Sequence, residues 1–287
     1  IGMMRRVGTG LLWILLIAGV RLAARAGAWT ACAGGPSRLP FRAALAACIV
    51  GDGAGNLTLL GPAASEPAKV LWVRPHVGTV DAAASLAAET VTYSLAVAAM
   101  LAAGSLAWVA AVAPAEWTHA VIVAVAASLA AAAGALAFVR RGRRGRSSLA
   151  RRIEEQGRGR PGLLAVVGWL RRTVEMLRLL SHEPKALGTV TALQVVFQAA
   201  AVAEVWVTLV LLGVPGVTFR QAFLLEYANR VVTLVFKFVP MRLGVDEVAS
   251  GAMASLLGSG GTVGVAVARA AHRAAQVLAV RSQQVHG

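Results

Sequence analysis

Thr90–Ala115, TVTYSLAVAAMLAAGSLAWVAAVAPA, runs without a charged residue. Crossing a hydrocarbon core takes about 20 predominantly apolar residues in a helix, and this run supplies them. It forms most of one long helix expected over Val77–Val112, with Glu89 near its start and Pro114 near its end. Trp117–Val139 is a second run without Asp, Glu, Lys or Arg. Only Glu116 separates the two, so a tight helical hairpin is expected. The whole chain supports the same reading. Of its 287 residues 57% are hydrophobic and 14% charged, with a mean hydropathy of +0.69. Soluble domains carry about 25% charged residues. The fold class is therefore all-α, a polytopic integral membrane helical bundle.

The net charge of +15 could indicate nucleic acid, but its distribution does not. Arg140, Arg141, Arg143, Arg144, Arg146, Arg151, Arg152, Arg158 and Arg160 crowd one loop, residues 140–161, directly after an apolar run. Excess arginine in a short loop is the positive-inside signal and places that loop in the cytoplasm. Its attraction to anionic headgroups is the accompanying expectation, with a specific phosphate or polymer site as the alternative. No nucleic-acid partner is expected. Cys32 and Cys48 lack metal or redox spacing, and the five histidines are scattered, so no metal or cofactor is expected. No nucleotide-binding or hydrolase motif occurs, and the chain is not read as an enzyme.

Arg5 and Arg6 precede the apolar run Val7–Val20. A secretory signal with small residues near Ala24 and Ala26 is one reading. Arg21 and Arg25 favour a spanning helix with its arginines near one end, snorkelling to the interface. Because residue 1 is Ile, the chain is expected to begin within a longer frame. Phe41–Val70 is hydrophobic at both ends but interrupted by Gly51, Asp52, Gly53, Gly55, Asn56 and Pro62. Freed backbone groups must find partners away from lipid, so a broken or re-entrant helix is expected there.

Leu163–His182, residues 163–182, is amphipathic. Val167, Leu170, Val174 and Leu177 fall on one face, and Arg171, Glu175, Arg178 and His182 on another. It is expected to lie in the cytoplasmic interface, with Glu175 pairing to Arg171 and Arg178. Ala186–Leu212 is a further span with Glu204 well inside it, closed by Gly213 and Pro215.

Phe219–Gly258 is the second broken segment, and Thr262–Val280 follows with Arg269, His272 and Arg273 inside it. Asn56–Glu66 and Leu234–Glu247 share an order of apolar residues, proline, then glutamate. Broken segments in both halves of a chain point to a transporter's midplane site. Five charges, Arg230, Lys237, Arg242, Asp246 and Glu247, would cost on the order of 12–17 kcal/mol facing lipid at depth. They must instead face one another, water or a polar ligand. Pro240 ends one helix and Gly244 permits a turn. Asp246 and Glu247 then open the next helix, where acids oppose the positive end of the dipole. Glu226, Asn229 and Arg230 share a face, with the acid first. Arg269 and Arg273, one turn apart, suit an anionic phosphate.

The segment FVPMRLGVDEVASGAMASLLG resembles the signature of the lysylphosphatidylglycerol synthase transmembrane-region family, a flippase-like membrane domain. Members show an apolar run, proline, a glycine turn, Gly-Val-x-Glu and a helix ending in Leu-Gly. Here these are Phe238, Val239, Pro240, Gly244, Val245, Glu247, Leu257 and Gly258. Glu226 with Arg230 upstream, and Arg269 with Arg273 downstream, also fit. NLTLLGPAASEPAKV resembles the family's first broken segment, with Pro62, Glu66 and Lys69, and AWTACA its preceding helix end. Met241 and Arg242 stand where many members have glycines, and the first motif lacks the usual arginine and glycine.

The resemblance implies one flippase-like transmembrane domain over residues 1–287, without a soluble synthase domain within them and with a family N-terminal helix expected to be missing. It also implies lipid handling in a bacterial inner membrane. Glu66 and Lys69 join the candidate headgroup site from the first motif. Arg230, Lys237, Arg242, Asp246, Glu247, Arg269 and Arg273, with Glu226 and Asn229, come from the second. Glu89 and Glu204, like Glu247, are candidate proton-carrying carboxylates. The partner expected is a membrane lipid with an anionic or zwitterionic headgroup. The alternative is a non-transporting accessory protein that presents a lipid or polyprenyl-phosphate to a membrane biosynthetic enzyme. A lipid transferase using Asp246 and Glu247 is the least favoured reading, because adjacent residues point apart on a helix.

Overall fold

The computed structural model describes residues 10–35, 38–58, 62–111, 161–214 and 216–235. Among them every regular element is an α-helix. In chain order these are α1 (Gly10–Cys32), α2 (Phe41–Leu57), α3 (Pro62–Val77), α4 (Thr79–Ala111), α5 (Pro161–His182), α6 (Pro184–Leu211) and α7 (Phe219–Val235). Three stretches, Gly10–Cys32, Thr79–Trp108 and Pro184–Leu211, are long and apolar enough to cross a membrane. The Trp117–Val139 run, nearly all of the arginine loop, and everything after Val235 lie outside the described residues.

The longest association is between α1 and α6, and α1 also meets α2 and α4. Small side chains permit it: Ala24, Ala26 and Ala28 of α1 are buried, as are Ala82, Ala84 and Ala88 of α4. Such residues let helix backbones approach closely. Trp29 is the large residue at the centre, fully buried, and its indole N–H donates to Ser85 Oγ at 3.0 Å. Around it one core joins Leu39, Ala44, Cys48, Val73 and Leu86 from α2, α3, α4 and the α1–α2 turn. A second core joins Cys32, Ala88, Met176, Leu180 and Val190, docking α5 on α1, α4 and α6.

Helix ends follow local chemistry. Gly34 and Gly35, both at φ 96°, turn the chain after α1, with Gly35 N–H bonded to Thr30 O. Gly78, at φ 77°, is the single residue between α3 and α4; a side chain there would be strained. Pro184 opens α6 at its first position and holds Glu183 extended, at φ −107° and ψ 96°. Thr218 and Gln221 form a reciprocal cap on α7: Gln221 N–H donates to Thr218 Oγ1, and Thr218 N–H to Gln221 Oε1.

One sequence expectation changes. The chain over Gly51, Asp52, Gly53 and Gly55 does not break; α2 continues through it to Leu57. The interruption falls just before Pro62, and α3 folds back on α2 with Lys69 beside Gly51 and Asp52. Gly51 is there because a Cβ would collide with the Lys69 stem. The glycine is a packing device rather than a hinge. On α5 the residues buried against the bundle lie beside the apolar stripe of Val167, Leu170, Val174 and Leu177. Thr173, Met176 and Leu180 are buried, whereas Val166, Trp169, Leu170 and Leu179 are exposed.

Candidate functional site

Two polar clusters stack along the seam where α1 meets α4. Arg21 and Arg25 lie one turn apart on α1, and Glu89 and Tyr93 lie one turn apart on α4. Side chains at that spacing are neighbours on a helix surface, so each helix contributes to both clusters.

The first cluster gathers α1, α2, α3 and α4. Lys69 is 1% exposed. Its ammonium sits 2.9 Å from Asp52 Oδ1 and 3.8 Å from Glu66 Oε1. Arg25 bridges onward, with Nη1 3.9 Å from Asp52 and Nε 3.5 Å from Glu89. Glu89 is fully buried, and neither of its oxygens has a hydrogen-bond partner among the described residues. On α6, Gln194 faces the same helix, its amide reaching Thr92 Oγ1 at 3.5 Å.

The second cluster gathers α1, α4, α6 and α7. Arg21 Nη1 is ion-paired to Glu204 Oε2. Glu226 accepts from Arg230 Nε at 2.8 Å and from Asn229 Nδ2 at 3.3 Å, as the shared face of these residues predicts. Arg230 Nη1 also donates to the Tyr93 hydroxyl. The Phe197 ring receives the Arg21 guanidinium at 5.1 Å and that of Arg230 at 5.8 Å, and Tyr93 meets it edge-on at 5.5 Å. Arg25 stands 5.6 Å from the Tyr93 ring centre, which joins the two clusters. Cation–aromatic contacts of this kind are worth about 0.5–2 kcal/mol, more when desolvated.

Of the expected site residues, Glu66, Lys69 and Glu89 thus meet in one cluster, and Glu204, Glu226, Asn229 and Arg230 in the other. Lys237, Arg242, Asp246, Glu247, Arg269 and Arg273 lie outside the described residues. Arg21 and Arg25, read from the sequence as snorkelling residues, are paired with carboxylates of other helices. Their counter-charges are Glu204 for Arg21, and Asp52 and Glu89 for Arg25. Asp52, read as a helix breaker, is a charged partner, and Tyr93, Phe197 and Gln194 were not singled out. The one available signal was a surplus of apparently unpaired acids in apolar runs, which requires cations from elsewhere.

A third, more exposed pair anchors α5. Arg172 donates to both oxygens of Asp81, from Nε at 2.8 Å and Nη2 at 3.2 Å, and from Nη1 to Glu175 at 3.0 Å. Glu175 thus pairs with Arg172, which the sequence reading did not anticipate. The Asp81 hydrogen bonds, then those to Glu175, hold the Arg172 guanidinium above its ordinary value, so it stays charged.

No protein-family model matches this chain, and neither does any curated protein or solved structure.

Proposed function

We propose that this chain is a multi-pass membrane protein of the bacterial inner membrane that binds a lipid or lipid-linked headgroup and moves it between leaflets. The observation that carries this reading is an inverted distribution of polarity. Leu12, Trp13 and Leu16 are 67%, 63% and 58% exposed, while Lys69, Glu89 and Glu226 are 1%, 0% and 5% exposed. Water would not stabilise that arrangement, but a hydrocarbon solvent does. In such a solvent ionisable side chains face the bundle interior and mark ligand or ion paths.

The two clusters hold more polar capacity than they satisfy. Both Glu89 oxygens, the amide of Gln198, Arg21 Nε and Arg230 Nη2 are buried without hydrogen-bond partners among the described residues. Each such group costs about 1–3 kcal/mol, more when charged, so a polar guest entering the seam offsets a standing penalty. A zwitterionic headgroup fits this chemistry: its phosphate meets the free guanidinium nitrogens and its ammonium meets Glu89. The α2–α3 hairpin, whose helices span only about 25 Å each at 1.5 Å per residue, acts as the re-entrant element. The apolar outer face of α5 lies in the cytoplasmic interface.

The test is reconstitution of the purified chain into vesicles carrying a fluorescent phospholipid, with dithionite reporting the outer-leaflet fraction. Headgroup-dependent exchange above empty vesicles supports the proposal. Unchanged accessible fractions across a panel of anionic and zwitterionic headgroups refute transport. Saturable lipid binding without exchange would instead assign the accessory, lipid-presenting role.

A further inference from the structure

The first cluster does not balance its charge. Arg25 and Lys69 face three carboxylates, Asp52, Glu66 and Glu89. Asp52 and Glu66 side chains are 35% and 41% exposed and share the Lys69 ammonium. Glu89 is fully buried, and its nearest cation among the described residues is Arg25 Nε at 3.5 Å, itself shared with Asp52. An excess negative charge in such a place is costly unless it is neutralised. Among the described residues no other cation is ion-paired with Glu89. The thiols of Cys32 and Cys48 border it from α1 and α2 and are uncharged when protonated. From α6 comes the neutral Gln194. Helices α5 and α7 bring Arg172 and Arg230 to α4, but against Asp81 and Tyr93.

We propose that this cluster is a proton-binding site, with Glu89 as the group that takes up and releases the proton. The proton adds to one Glu89 carboxylate oxygen, the site loses its net negative charge, and Arg25 is left to Asp52, 3.9 Å from its Nη1. Proton release returns Arg25 to Glu89. Because the same Arg25 guanidinium lies on the Tyr93 ring, and Tyr93 binds Arg230, the exchange reaches the second cluster. Coupling this proton to headgroup movement rests on the transport reading above; proton binding does not.

The probe is dicyclohexylcarbodiimide applied to the full-length protein in vesicles. A protonated carboxyl gives its proton to a carbodiimide nitrogen while its oxygen attacks the central carbon. The adduct rearranges to a stable N-acylurea that is located by peptide mass spectrometry. The expected result is one adduct, on Glu89, whose rate falls about tenfold per pH unit on the alkaline side of its midpoint. In Glu89→Gln it is absent. Because that variant can fail to fold, the pH titration on the unaltered chain is the deciding measurement. An unlabelled Glu89 at every pH, or labelling that does not vary from acidic to alkaline medium, overturns the assignment.

The same vesicles carry fluorescent lipid and an imposed pH gradient. Lipid exchange with a silent Glu89 and no response to the gradient refutes the proton site while transport stands. A pH-dependent Glu89 adduct without lipid exchange refutes transport while the proton site stands.

Discussion

Glu226 and Arg230 allow a quantitative test of the second cluster. Their side chains are 6% and 11% exposed, and Nε lies 2.8 Å from Oε1. At an effective dielectric of about 20 that separation gives an attraction of about 6 kcal/mol. Taking both groups out of water costs several kcal/mol per ion, so the intact pair contributes little net stability. The asymmetry is what can be measured. Glu226→Gln leaves a buried guanidinium without its counter-charge, beside the Tyr93 hydroxyl and the Phe197 ring, and Arg230→Met strands a buried carboxylate that keeps only Asn229. Each single variant should lose about 3–5 kcal/mol, or about 6–20 °C in melting temperature at about 2–4 °C per kcal/mol. The double variant buries no unpaired charge and should recover most of the loss, giving a coupling energy of at least about 2 kcal/mol. The assay is thermal unfolding of the four proteins in one mild detergent, followed by tryptophan fluorescence. Raising the salt should change the coupling little, since buried pairs are weakly screened. Additive single losses, with the double variant the least stable of the four, would show that the two residues do not meet.

Three further outcomes are expected. Gly104→Val forces a side chain into the Tyr227 ring and should destabilise by about 1–3 kcal/mol. Gly19→Ala, where a Cβ has open space, should not lower the melting temperature, and equal losses in the two would refute the α4–α7 packing. Ser85→Ala removes the acceptor of the fully buried Trp29 indole. It should cost about 1–3 kcal/mol, checked by the same melt, with an unchanged melting temperature counting against the bond. Arg172→Ala breaks a pair whose side chains are 31% and 35% exposed, so global stability should fall by less than about 1 kcal/mol. Hydrogen exchange over 173–182 should nevertheless accelerate, because α5 loses its tether to α4; unchanged protection there would place the anchor elsewhere.

Much of the framework was legible from hydropathy alone. The uncharged run after Thr90 and the span after Ala186 correspond to α4 and α6, and α6 ends at Leu211, just before the Gly213 read as closing it. Glu226 and Arg230 were legible because their partnership is local, within one turn of one helix. Arg21 was not. Its partner Glu204 is 183 residues away, and nothing within α1 distinguishes a snorkelling arginine from a paired one. Gly51 was misread for a related reason. A glycine between Val50 and Asp52 looks like a break until the Lys69 stem that needs the space is known. On α5 the most apolar face is not the one that packs on the bundle. Periodicity identifies a stripe, but only neighbouring helices decide which stripe is covered.

The charges of the long apolar helices are sorted by sign. Within its described span α1 carries only Arg21 and Arg25, and α4 only Asp81 and Glu89, while α6 has Glu204 deep within it and Lys185 in its first turn, too distant to reach it. None of these helices can neutralise itself. Each inserted separately carries about 2.5–3.5 kcal/mol per ion at depth, and the penalty is relieved only when α1 lies against α4 and α6 in one register. A shift of α1 by one turn would place Arg25 where Arg21 now meets Glu204 and leave Glu89 without a cation. Ion pairs of this kind add little net stability against an apolar core, yet they discriminate strongly between registers. The Glu226–Arg230 pair is different: it forms within α7 before any packing. Its second contact, to Tyr93, then ties this already paired arginine to the seam that the charges of the other helices have aligned.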